Sequence, residues 1–301
     1  MRPAPLYPPL IVVGAHRAGT TMLAGALEQL GVFMGWKKDT NKEALFFRNL
    51  NRWMLRSVHA HWDYPQPFLG LLAELDLKEK YVSYLRIMLQ SPRLISYTGV
   101  KHYWRFRHPA RFDFPWGWKD PRNTFTLPLW TAVFGSARVI HVRRHGVDVA
   151  ASLVARNAKS RENAFVRFSK WRRCPLIYKI RPKKGGFTNS LRCRSLIGGF
   201  EIWHEYMVRA ESVLKAEGVP VLDLCYERIL AQPEAELNKV IRFCGMEDAA
   251  ERIPNAVAAL NPKRAFVYRH DPKTRRFALD HEDRLNRFGY SADGFAGGFN
   301  E

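Results

Sequence analysis

The sequence predicts an α/β fold, with a parallel sheet covered by helices on both faces. Three observations carry this expectation. A four-residue apolar run, Leu10–Val13, leads through a glycine-bounded loop into a helical pattern. A second strand-like run at residues 138–142 leads through a turn into another helical pattern. Further short apolar runs at residues 116–119 and 219–225 alternate with longer amphipathic segments.

In chain order, strand one is expected at 10–13 and helix one at about 20–30, with Gly31 as its stop. Residues 41–61 look largely helical and aromatic-rich and are expected to form one wall of a cleft. Residues 63–67 form a turn, and 71–89 read as one amphipathic helical region with Leu72, Leu75, Tyr81, Leu85 and Leu89 among its apolar residues. A strand at 116–119 ends at Asp120-Pro121, followed by a helix at 124–134 and the strand at 138–142. Residues 161–199 are the least regular, with Pro175, Pro182 and Gly185-Gly186 as breakers. Helices at 200–216 and 234–244 bracket a strand at 219–225.

The loop after strand one is the most informative segment. Gly14 and Gly19 keep the spacing of a phosphate-cradling P-loop, which predicts a P-loop NTPase-like three-layer fold. Thr20 stands where a Walker loop places Lys, and Thr21 follows; the nearby cation is Arg17, inside the loop. A helix N-terminus carries roughly half a positive charge. With two threonine hydroxyls and a guanidinium fork added, the site suits a terminal oxyanion such as a 5′-phosphate or a sulfonate. In the second element Arg144 ends the strand, and Ser152 lies two helical turns on. Open α/β sheets bind ligands at the carboxyl ends of their strands, so Arg144 and the first loop are expected on one rim. Taken alone, Arg144 reads as a solvated strand-end cation.

Together these elements resemble the sulfotransferases that use 3′-phosphoadenosine-5′-phosphosulfate, in particular bacterial and Golgi-type carbohydrate sulfotransferases. The resemblance rests on Arg17-Ala18-Gly19-Thr20-Thr21, on Arg144 with Asp148-Val149 and Ser152, on Trp118-Lys119-Asp120-Pro121-Arg122, and on Tyr226-Glu227-Arg228-Ile229-Leu230 with Pro233-Glu234. Gly146 replaces the proline usual in the second motif. The resemblance implies that the first motif holds the 5′-phosphosulfate and that Arg144 and Ser152 grip the 3′-phosphate. A basic C-terminal segment often closes over that phosphate in the family, with Arg264, Lys273, Arg275 and Arg276 as candidates here.

Sulfonyl transfer needs a base for the acceptor hydroxyl and a cation for the leaving oxygen. Some members carry a His base after the Lys at the comparable strand end; here Pro121 takes that place. Glu43 resembles the catalytic Glu of another subgroup, and the neighbouring Phe46-Phe47 suits a carboxylate with a raised pKa. An exposed helical carboxylate is the plainer reading of Glu43. Asp120 and His16 compete as bases, although Asp120 also suits orienting Lys119, and His16 suits packing within the loop. Lys119 is the expected leaving-group cation, and Arg122 is a further contact to acceptor or sulfonate. The expected activity is transfer of the sulfonyl group to a hydroxyl acceptor, a carbohydrate. The alternatives are a P-loop small-molecule kinase, which the missing Walker Lys opposes, and a non-catalytic nucleic-acid binder.

The bulk properties frame these readings. At 47% hydrophobic and 25% charged residues the composition is that of a globular enzyme. One domain over residues 1–301 is expected, with a basic insertion at about 159–199 and a basic segment from about 262. No run approaches the roughly 20 apolar residues of a membrane span. Residues 1–9 lack a signal core, and the expectation is a cytoplasmic protein. Cys174, Cys193, Cys225 and Cys244 form no Cys-x-x-Cys pair, so reduced thiols and no metal site are expected; Cys174 and Cys193 flank a basic loop and can lie near each other. The formal charge is +20, and no acid occurs between Asn163 and Phe200. That stretch suits steering of an anionic nucleotide donor and an acidic glycan acceptor; nucleic acid, an acidic membrane surface or plain solvation are the alternatives.

Overall fold

The computed structural model describes residues 7–172 and 186–296. Four parallel strands form the central sheet, in the order β2-β1-β3-β4. These are β1 Leu10–Val13, β2 Gly117–Lys119, β3 Arg138–Arg143 and β4 Val221–Cys225. β1 sits inside, with Leu10 paired to both Gly117 and Arg138. All four of its residues are buried, as a parallel strand covered on both faces requires.

Helices connect and flank the strands. They are α1 Thr20–Gln29, α2 Leu45–Arg56, α3 Gln66–Ala73, α4 Leu75–Gln90, α5 Ile95–Phe106, α6 Asn123–Val133, α7 Gly146–Arg172, α8 Leu196–Glu217, α9 Tyr226–Ala231, α10 Pro233–Cys244 and α11 Ile253–Ala258, followed by α12 Pro272–Asp280 and α13 Glu282–Asn286. A short antiparallel pair, β5 Tyr290–Ser291 and β6 Gly294–Phe295, lies near the C-terminus.

The chain divides into two compact units, Met1–Arg144 with Tyr206–Ala265, and His145–Glu205 with Phe266–Glu301. In the first unit, Leu10, Val12, Ile140, Val142 and Leu224 of the sheet pack with Leu23 and Leu27 of α1 and Leu237, Val240 and Ile241 of α10. Each such fully buried side chain contributes about 1.5–3 kcal/mol of transfer free energy. An aromatic cluster joins α2, β2 and α6, where Phe47 stacks on Trp118 at 3.9 Å and Trp130 meets both rings edge-on. In the second unit, Asp148 at the start of α7 accepts hydrogen bonds from the Tyr268 (2.9 Å) and Val267 (3.3 Å) amides, and His145 stacks on Tyr268 at 4.1 Å. Gly146 faces the rings of Trp203 and Phe200, and a Cβ there would overlap both, which accounts for glycine where the motif usually has proline.

The structure departs from the expected elements where a local break or a good helix former was misjudged. Residues 41–44 are not helical: Lys38 and Ala44 form an isolated bridge, and α2 starts only at Leu45. The region expected as one helix at 71–89 is two, because Glu74 takes an extended conformation between α3 and α4. α7 continues through the stretch expected to be irregular, as far as Arg172. Residues 173–185, with Cys174 and part of the basic stretch, lie outside the described residues. Cys193 and Cys225 are buried, and Cys244 is partly so.

Candidate active site

The loop between β1 and α1 takes the shape that its glycines allow. Gly14 and Gly19 have φ values of +143° and +94°, and Arg17 between them also lies in the left-handed region at +72°. A Cβ on Gly14 would strike the Val142 carbonyl, and one on Gly19 would run into the Tyr226 ring. The Ala18 amide closes a turn on the Ala15 carbonyl at 3.1 Å. α1 then begins at Thr20, so the first-turn amides, among them those of Thr20, Thr21 and Met22, have no acceptor within the helix. Thr20 is buried, whereas Thr21 and Arg17 are exposed.

Arg144 joins this loop. Its Nη1 donates to the Arg17 carbonyl at 3.3 Å and its Nη2 to the Arg264 carbonyl at 2.9 Å. Its guanidinium lies over the Tyr226 ring at 4.5 Å. Arg144 is therefore a built part of the loop's surroundings and not a solvated strand-end cation. Tyr226, noted in the sequence only as part of a late motif, supports both Gly19 and Arg144. Ser152 is half-buried on α7, in the second unit. Of the C-terminal candidates, Arg264 is exposed in the first unit. Lys273, Arg275 and Arg276 are exposed in the second, where Arg275 and Arg276 pair with Asp293 (3.7 Å) and Asp280 (3.0 Å).

At the end of β2 the structure gathers Lys119, Asp120, Arg122 and Glu43. Lys119 is 1% exposed, and its Nζ donates to the Asn41 carbonyl at 2.5 Å. It also lies 3.4 Å from the Thr21 hydroxyl and 3.5 Å from Glu43 Oε1. Arg122 Nη1 lies 3.4 Å from Glu43 Oε2 and 2.8 Å from each oxygen of Asp120. Glu43 is 4% exposed, in the segment just before α2, so it is not the exposed helical carboxylate of the plainer reading. Its backbone amide donates to Asp39 Oδ1 at 2.9 Å, which fixes that segment.

Beneath these charges lies a buried amide layer that sequence reasoning missed. Asn51 of α2 is fully buried and uses all four of its hydrogen-bonding positions. Its Nδ2 donates to Asp120 Oδ2 (3.0 Å) and Asn123 Oδ1 (2.8 Å). Its Oδ1 accepts from the Thr126 hydroxyl (3.0 Å) and the Trp130 indole (2.8 Å). Asn123 in turn donates to the Val12 carbonyl at 3.0 Å, so the cluster is tied to the central strand.

The electrostatics follow from burial. Burial raises the Glu43 pKa above the ordinary glutamate value, with the negative charge of Asp120 adding to it; Lys119 and Arg122 act in the opposite sense. Burial lowers the Lys119 pKa, and the carboxylates of Glu43 and Asp120 oppose that. Arg122 is held in its charged form, because Asp120 and Glu43 outweigh its burial. His16, also buried, sits edge-on to Trp62 at 4.7 Å and Tyr206 at 6.0 Å, a packing position within the loop.

A parallel sheet, a glycine-bounded loop opening a helix and a buried lysine–glutamate pair beside that helix define a P-loop-type group-transfer enzyme. The profile of the sulfotransferase family matches residues 8–174, more than half of the chain, and the chain belongs to that family. It is a sulfotransferase, and the family implies 3′-phosphoadenosine-5′-phosphosulfate as the sulfonyl donor. No curated protein matches the chain. Among solved structures it is similar to the sulfotransferase domain from the Synechococcus PCC 7002 olefin synthase, at 15% identity over 94% of this chain and 95% of that one, with a TM-score of 0.48. It is also similar to sulfotransferase STF9 from Mycobacterium avium, at 14% identity over 93% and 77% of the two chains, with a TM-score of 0.42. The family assignment rests on the sequence match. Among the described residues, no helix is long and apolar enough to cross a membrane.

Proposed function

We propose that this enzyme transfers the sulfonyl group of 3′-phosphoadenosine-5′-phosphosulfate to a hydroxyl of a carbohydrate acceptor, with Glu43 as general base and Lys119 as leaving-group cation. The observation that carries the reading is the line Thr21–Lys119–Glu43. Lys119 lies between a hydroxyl of the anion loop and a buried carboxylate, 3.4 Å from one and 3.5 Å from the other. The residues fit the donor by their chemistry. The first-turn amides with Thr20, Thr21 and Arg17 suit its 5′ end, and Ala18 and Gly19 shape the loop that presents them. Arg144 suits its 3′-phosphate as a planar fork. The acceptor class rests on the resemblance of the motifs around Trp118 and Tyr226.

Glu43 is a better base than Asp120 for a geometric reason. Both oxygens of Asp120 are taken by Arg122 at 2.8 Å and one also by Asn51 at 3.0 Å, whereas the contacts to Glu43 are 3.4 Å and 3.5 Å. A carboxylate held by longer contacts keeps a lone pair for an incoming hydroxyl proton.

The deciding experiment is calorimetric binding of 3′,5′-adenosine bisphosphate, AMP and Mg-ATP to the wild type and to Arg144→Ala. The bisphosphate is expected to bind about tenfold or more tighter than AMP, and Arg144→Ala to erase that margin. Equal affinity for the bisphosphate and AMP, or strict dependence on Mg-ATP, would return the kinase reading.

The pH dependence of turnover tests the acid–base pair. Glu43 must be deprotonated to act, so kcat falls as pH falls through a pKa that lies above the ordinary glutamate value. Lys119 must be protonated, so kcat falls as pH rises through a pKa below the ordinary lysine value. The expected kcat profile is a bell narrowed from both sides, its limbs belonging to the coupled pair. A profile flat between about pH 5 and about pH 10 would remove both roles.

A further inference from the structure

The outer stripe of α2 carries Arg48, Arg52 and Arg56 at four-residue spacing, which places them on one helical face. Their surroundings differ. Arg48 pairs with Asp39 at 3.1 Å. Arg52 is half-buried and Arg56 exposed, and neither has a hydrogen-bond or ion-pair partner among the described residues. Both line an open cavity of about 470 Å³, together with Asn49, Trp53 and Ser57. Trp53 is a fixed wall, since its ring lies against Tyr84 at 4.4 Å and Tyr81 at 5.3 Å while 39% of the residue stays exposed.

Asn51, next to Arg52 on α2, donates to Asp120 at 3.0 Å, and Arg122 joins Asp120 to Glu43, so α2 links the cavity to the candidate active site. Burial, then the neighbouring charges of Arg56, Arg122 and Arg48, disfavour the charged form of Arg52, while Asp120 favours it. Arg122 is committed to Asp120 and Glu43. Arg52 and Arg56 thus crowd positive charge onto the outer face of α2, and an anion between them would relieve their repulsion.

We propose that this cavity binds an anionic substituent of the acceptor: a carboxylate or sulfate group held by Arg52 and Arg56, with the ring that carries it lying on Trp53. This rests on the reading of Glu43 as the base, because it makes α2, the helix that follows Glu43, the wall along which the acceptor lies. Guanidinium forks match both oxyanions, and the indole supplies a rigid apolar surface for a ring face. The acceptor class is therefore an acidic carbohydrate, a uronic acid or an already sulfated sugar.

Calorimetry on the full chain with three matched probes tests this: 4-nitrophenyl glucoside, 4-nitrophenyl glucuronide and a 6-O-sulfated 4-nitrophenyl glucoside. At least one anionic probe is expected to bind about tenfold or more tighter than the neutral one. The stronger of the two identifies the substituent. Arg52→Ala is expected to remove the preference, and so is Arg56→Glu, a change at an exposed position that leaves the fold intact. Both variants should bind 3′,5′-adenosine bisphosphate as the wild type does. Equal or undetectable binding of all three probes overturns the proposal, as does a preference that survives in both variants. Failure of the wild type to bind the bisphosphate would instead overturn the donor reading, and a probe preference lost in the variants would leave the anion site standing.

Discussion

Glu43→Gln is expected to lower kcat by roughly 10²- to 10⁴-fold, the usual worth of a positioned general base, while the affinity for 3′,5′-adenosine bisphosphate stays within about twofold. The substitution keeps size and burial but replaces the basic carboxylate oxygen with an amide too weakly basic to take the hydroxyl proton. It also removes the negative charge that Lys119 and Arg122 face at 3.5 Å and 3.4 Å. The Lys119 pKa then drops further, because the Glu43 carboxylate is the largest influence that supports its charged form. The alkaline limb of the residual activity should accordingly move to lower pH. Unchanged turnover in this variant would shift the base to Asp120, despite its engaged oxygens.

The largest effect on stability is expected at Asn51. Asn51→Ala leaves Asp120 Oδ2, the Thr126 hydroxyl and the Trp130 indole each without the amide partner they have now, in a place where Asn51 is fully buried. Asp120 Oδ2 keeps the Arg122 guanidinium and the Thr126 hydroxyl keeps the Arg122 carbonyl, so the Trp130 indole is the group stripped outright; that costs about 1–3 kcal/mol, and a loss in that range is expected in denaturant unfolding. A loss below about 1 kcal/mol would mean that ordered water replaces the amide.

The shape of the glycine loop was legible in the sequence, because its requirements act on the backbone. Two glycines at fixed spacing, flanked by an apolar run and a helical pattern, can be read without knowing any partner, and both prove to be at positive φ. Lys119 and Glu43 were singled out through motif resemblance, and the structure brings them within 3.5 Å of each other. The cage around them was not, since it is made of groups that leave no pattern: the Asn41 carbonyl that receives Lys119, and an asparagine on the buried face of α2. A lone Asn among apolar residues at helical spacing carries no sign of four partners from 69 to 79 residues away. α5 was missed for a different reason. Gly99, at φ +71°, interrupts its helical geometry and weakens the periodicity that would have announced it. α7 was cut short in expectation because the downstream prolines and glycines outweighed the good helix formers of residues 161–172.

The ring of Tyr226 has one more consequence. It lies against Gly19, where no Cβ fits, and carries the Arg144 guanidinium at 4.5 Å. The place of that guanidinium against the loop is therefore set by a rigid ring together with its hydrogen bond to the Arg17 carbonyl. Under the proposed roles, the enzyme measures its donor with a caliper of fixed jaw width. A nucleotide is judged by whether its two ends span that width, and one without a 3′ anchor fills only one jaw.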